Sequence, residues 1–154
     1  MNTNIIKKRL LKEYELLLKD ENTFFKNSLF DNDLNIHIDL HIYNYIFKLK
    51  FIFSSDYPFK PPKIYINKAL YKNILFFHNE TKRKIYTRFF FQNTYICLCC
   101  NTILCKWGPT LKLIDILPEI KTNILYQLRY IEIVHAKKIK CKYLIDDIPL
   151  EYFL

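Results

Sequence analysis

Four of the chain's five cysteines, Cys97, Cys99, Cys100 and Cys105, fall within nine consecutive positions. A thiolate attacks a carbonyl readily, and the thioester it forms still reacts with an amine, so this segment can support acyl exchange without a metal. Such chemistry needs a hydrogen-bond donor for the tetrahedral oxyanion, and the side-chain amides of Gln92 and Asn93 stand a few positions upstream. Their alternative use is to satisfy the turn ahead of Thr94-Tyr95-Ile96. Thiolates also bind zinc, yet Cys-x-Cys-Cys-x4-Cys is not the spacing of paired zinc knuckles, and no second cluster follows. Cys141 and the histidines His37, His41, His78 and His135 join a metal set only if the fold brings them close, so no metal site is assigned. A small buried hydrophobe is the remaining reading of a cysteine, and it is the one expected of Cys99 and Cys105.

A chain of 154 residues has room for one domain, residues 1–154, with a core that needs neither disulfides nor a metal. Because it has 13 Phe, 12 Tyr and a single Gly, turns fall to Asn, Asp, Ser and Pro. The net charge of +9 favours acidic partners through long-range attraction. The basic residues are dispersed, however, and no nucleic-acid signature accompanies them, so nucleic acid is not expected as the primary partner. Charge arrives early at Lys7, Lys8 and Arg9, which excludes an apolar leader there, and no uncharged run approaches the roughly 20 residues that cross a bilayer. An odd number of clustered cysteines fits a secreted disulfide scaffold poorly. The expectation is a soluble intracellular protein, cytoplasmic or nuclear, with no membrane partner.

The thiols must be positioned by the elements around them. Residues 4–20 read as an amphipathic helix with Asn4 as a cap and Ile5, Leu10, Leu11, Tyr14, Leu17 and Leu18 as its stripe. Alternation then predicts strands across residues 34–53, with Leu34, Ile36, Ile38 and Leu40 in one and Tyr45, Phe47, Leu49, Phe51 and Phe53 in the next. Tyr43-Asn44 is the turn between them, Ser54-Ser55-Asp56 ends the run, and Lys63 to Asn67 forms a further strand after Pro61-Pro62. From Leu111 the period is helical again through Ile114, Ile116, Leu117, Ile120, Ile124 and Leu125, with Pro118 imposing a kink or a division into two short helices. Ala136 to Leu144 is a further short helix, and Asp115 serves as surface or capping chemistry. Together these make an α+β domain.

The order helix, strands, Tyr57-Pro58-Phe59-Lys60-Pro61-Pro62-Lys63, cysteine and then Trp107-Gly108-Pro109 resembles the core of a ubiquitin-conjugating enzyme over most of residues 5–130. The resemblance implies a ubiquitin-conjugating-enzyme-like fold, an antiparallel sheet with an amino-terminal helix and carboxy-terminal helices. It also implies an acyltransferase whose cysteine accepts ubiquitin or a ubiquitin-like protein from an activating enzyme as a thioester and passes it to a lysine amine. A ubiquitin ligase and protein substrates are the further partners implied. No cofactor is bound in this reading, since ATP is used by the upstream activating enzyme.

Cys100-Asn101-Thr102-Ile103-Leu104 matches the family's Cys-x-x-Ile-Leu, Cys97-Leu98 matches its Cys-Leu opening, and Cys99 has a common eight-residue spacing to Trp107. Cys100 is the leading nucleophile, Cys97 the declared rival and Cys99 third. The family's His-Pro-Asn is absent; its places after Ile85-Tyr86 hold Thr87, Arg88 and Phe89, and Phe89 has no side-chain donor. Counting back from Cys100 by the family spacing lands on Gln92 beside Asn93, which assigns them the oxyanion role. The gap between the Pro-rich segment and the cysteines is longer than in the family, so an insertion is expected within residues 68–84, as a surface loop or a partner-facing site. By the same resemblance Lys7, Lys8 and Arg9 meet the activating enzyme, while Phe59, Pro109 and Thr110 meet ligases. Without it the three basic residues read as a solvated helix face, Phe59 as a loop plug, Trp107 as core, and Lys63 and Lys106 as solvent-facing. Two other classes stay open: a non-catalytic conjugating-enzyme-like binding protein of the ubiquitin pathway, and a structural or nucleic-acid-binding domain.

Overall fold

Alternating side chains give a sheet in the computed structural model, which describes residues 3–19, 25–31, 33–75, 80–92, 94 and 97–140. The strands are β1 (Phe25–Phe30), β2 (Ile36–Ile42), β3 (Tyr45–Ile52), β4 (Lys63–Ile66) and β5 (Ala69–Leu70), paired antiparallel in that order. Ile36, Ile38, Leu40 and Ile42 of β2 and Phe47, Leu49 and Phe51 of β3 are buried, so one face of the hairpin supplies the core. Ile42 pairs with Tyr45 across the expected Tyr43-Asn44 turn. Tyr45 itself, next to that turn, is exposed instead of joining the buried set.

Several expected boundaries move. Leu34 is not in a strand; it has a φ of 62° within a turn organised by Asp31. The Asp31 carboxylate accepts the N–H groups of Asp33 and Asn35 and the Asn35 amide, and it pairs with His37. Desolvation pushes its pKa up, but these hydrogen bonds outweigh it and hold the carboxyl at about 2. The sheet also begins earlier than residue 34, because β1 pairs with β2 despite lacking strict alternation; its ladder is irregular between Phe25 and Ser28.

The helices are α1 (Thr3–Lys19), α2 (Tyr71–Leu75), α3 (Glu80–Phe89), α4 (Leu98–Asn101) and α5 (Leu113–Lys140). Asn4 lies inside α1, which begins at Thr3, and not at the position before its first residue. The buried face of α1 is Ile6, Leu10, Glu13 and Leu17, while Ile5, Leu11 and Leu18 are exposed. A buried carboxylate turns this face away from the stripe that apolar residues alone describe. The stretch expected to hold an insertion is not a bare loop where it is described: among residues 68–84 lie β5, α2 and the first half of α3. Tyr86 of α3 packs edge-on to Tyr126 and beside Tyr130 of α5, and Ile85 and Val134 complete that cluster.

Past Pro118, α5 runs unbroken, so residues 113–125 are not two short helices and residues 136–140 continue α5 instead of opening a new one. Residues 141–144 lie outside the described chain. An interior proline costs about 3 kcal/mol. Full burial of Leu113, Ile116, Leu117 and Ile120, at roughly 1.5–3 kcal/mol per side chain, exceeds that cost. These side chains close the core against the inner face of the sheet. The result is an α+β architecture: an amino-terminal helix, a five-stranded antiparallel sheet and carboxy-terminal helices. Among the described residues no helix is long and apolar enough to cross a membrane.

Candidate functional site

The cysteines are positioned by α4, a single turn whose N-cap is Cys97 in extended conformation. Side chains three apart meet on a helical turn. Here the Cys97 thiol donates to the Cys100 sulfur at 3.3 Å, so the two rival nucleophiles are direct neighbours. Cys100 is exposed and Cys97 half-buried. Cys105 is exposed, contrary to the expectation of burial, because turn bonds from Cys105 N–H to Thr102 O and Lys106 N–H to Ile103 O carry it to the surface. The Cys99 side chain and Cys141 lie outside what is described.

Immediately after α4 the chain is fastened to α5. Glu119 accepts the Thr102 hydroxyl at 2.5 Å, the Ile103 N–H at 2.6 Å and the Tyr71 hydroxyl at 3.0 Å. Asn123 then donates its amide to the Tyr71 oxygen at 2.6 Å. Burial, and after it the Glu119 charge, push the Tyr71 phenol above its ordinary range, so it stays a neutral donor. Thr102 and Leu104, which follow α4, are buried. Sequence reasoning missed Glu119 because its partners lie far away along the chain and its own position looks like the polar side of a helix.

A second assembly joins three segments that the sequence placed apart. Glu13, 4 % exposed, accepts Arg9 Nε at 2.8 Å, the Tyr57 hydroxyl at 2.7 and 2.6 Å, and the Leu113 N–H at 3.0 Å. Burial first, and then the hydrogen bond to Glu13 and its charge, raise the Tyr57 phenol above its ordinary range. Arg9 Nη2 also donates to the carbonyls of Pro109 and Leu111 at 2.7 and 3.0 Å, and its guanidinium lies over the Tyr57 ring. Trp107 donates Nε1–H to Pro58 O at 2.8 Å. It is half-buried against Tyr57, so it packs on the Pro-rich loop. Arg9 therefore works inside the fold. Lys7, Lys8, Pro109 and Thr110 are exposed, as is Phe59 at 65 %, which removes the loop-plug reading.

The oxyanion candidates have a different setting. Gln92 is exposed with a φ of 48°, in a turn closed by the Thr94 N–H to Phe91 O at 2.7 Å. Asn93 lies outside the described residues, and Thr87, Arg88 and Phe89 form the last turn of α3. Asp115 accepts the Lys112 N–H at 2.8 Å and so caps α5. Among the described residues no three metal-ligating side chains converge. Compared with family models, curated proteins and solved structures, the chain matches none.

Proposed function

We propose that the protein is a divergent ubiquitin-conjugating enzyme with a ubiquitin-conjugating-enzyme-like fold. Cys100 accepts the carboxy-terminal acyl group of ubiquitin or a ubiquitin-like protein as a thioester, and a lysine amine then takes it. The observation that carries this reading is the exposed Cys100 thiol on a turn whose far end is held by Glu119. Support comes also from Arg9 and Trp107, which gather α1, the Pro-rich loop and residues 107–111 into one region bearing the exposed Phe59, Pro109 and Thr110. Lys7 and Lys8 on α1 meet the activating enzyme, and that exposed region meets a ligase. Gln92 or Asn93 supplies the oxyanion donor, a role whose removal slows transfer by about 10²-fold.

The test is to incubate the protein with activating enzyme, ATP and each of several modifiers. A reductant-sensitive adduct is expected, which Cys100→Ser abolishes or converts to a reductant-resistant ester. Loss in Cys97→Ser alone moves the nucleophile to Cys97. A second reading, a non-catalytic binding protein of the ubiquitin pathway, is favoured by the turn role of Gln92 and the missing His-Pro-Asn. Failure of the folded parent to charge with any modifier selects that reading.

A further inference from the structure

Acyl transfer needs one thiol, yet α4 and its N-cap hold two in contact. Cys97 and Cys100 stand in a Cys-x-x-Cys spacing with their sulfurs 3.3 Å apart. The bonds from Thr102 and Ile103 to Glu119 fix the end of the turn, so this proximity is built by the fold itself and needs no partner. The two sulfurs differ in access, Cys100 being exposed and Cys97 half-buried. That asymmetry separates an attacking thiol from a resolving one. We infer that Cys97 and Cys100 form a reversible disulfide, a thiol–disulfide exchange site whose co-reactant is a small-molecule disulfide.

The chemistry balances in two steps. The Cys100 thiolate attacks one sulfur of the small disulfide and expels the other as a thiolate, leaving a mixed disulfide on Cys100. Cys97 gives its proton to solvent, attacks the Cys100 sulfur and expels the second small thiolate. The protein loses two protons and two electrons, and the small disulfide takes up the two electrons as two thiolates that become two thiols on protonation. Proximity makes the second step intramolecular, so the mixed disulfide does not accumulate. While the bond is closed the Cys100 sulfur cannot accept an acyl group. That consequence rests on the function proposed above; the disulfide does not.

The full chain, equilibrated with varied ratios of oxidised to reduced glutathione, quenched and alkylated, should show by intact mass an internal bond lacking two hydrogens. Cys99→Ser and Cys105→Ser should retain it. Cys97→Ser should replace it with a glutathione adduct on Cys100, about 10-fold or more above the parental level. A bond lost in Cys99→Ser or Cys105→Ser, or a parent that collects glutathione adducts at every ratio without an internal bond, would overturn the inference. The parental measurement stands even if a variant fails to fold, and none of these readouts requires ubiquitin charging.

Discussion

At Glu13 a carboxylate on the inner face of α1 answers donors from three parts of the chain: Arg9, Tyr57 and the first N–H of α5. The last contact also places negative charge at the positive end of a long helix. Glu13→Ala leaves Tyr57 and Leu113 without an acceptor and Arg9 without its counter-charge. Such a loss costs about 3–5 kcal/mol and should lower the urea midpoint with little change in slope. The identity of the candidate thiols was legible in the sequence, because Cys100-x-x-Ile-Leu and Cys97-Leu are local strings. Their contact was not, since residues 98–101 make one turn, too short for any period to register. Glu13 and Glu119 were equally hidden, for a buried carboxylate looks like a solvated one until its distant partners are in place.

Among the elements, β2, β3 and β4 were readable because each buries one face and so alternates, and the first half of α5 was readable from the spacing of its apolar residues, though not its continuity past Pro118 to Lys140. β1 was not, having Lys, Asn and Ser between its apolar ends, and neither was α3, whose first half is almost wholly polar. That helix owes its place to the packing of its Tyr86 against α5, and this draws in Lys82, whose ammonium lies 5.9 and 5.4 Å from the centres of the Tyr86 and Tyr130 rings. Burial lowers the Lys82 pKa from 10.5 to about 8. Between those values the unfolded chain binds more protons than the folded one, so the Lys82 contribution makes stability rise as pH climbs from about 8 to 10.5. Comparing urea unfolding of the parent and Lys82→Met at intervals across this window cancels the other titrating groups. The variant should be more stable below pH 8, by about 1–3 kcal/mol, and the difference should shrink above it.

For the molecule as a whole, α5 is the common member. Its first half closes the core against the sheet, its second half carries the α3 aromatic cluster, and its first N–H is bound by Glu13. The expectation of a single domain then has a direct measurement. The lone tryptophan, Trp107, sits in the α1–Tyr57 cluster and so reports on a different set of contacts from the strand pairing that dominates the sheet signal. Its fluorescence and the far-ultraviolet circular dichroism should follow one urea transition. An earlier fluorescence change would divide the chain into two cooperative units. The Arg9 bonds to Pro109 and Leu111 join positions about a hundred residues apart, so the region bearing Phe59, Pro109 and Thr110 is gathered only when α1 and residues 107–111 are both present. During synthesis a partner that recognises this region finds it assembled only after residues 107–111 have emerged and met α1, so recognition reads contact between segments about a hundred residues apart.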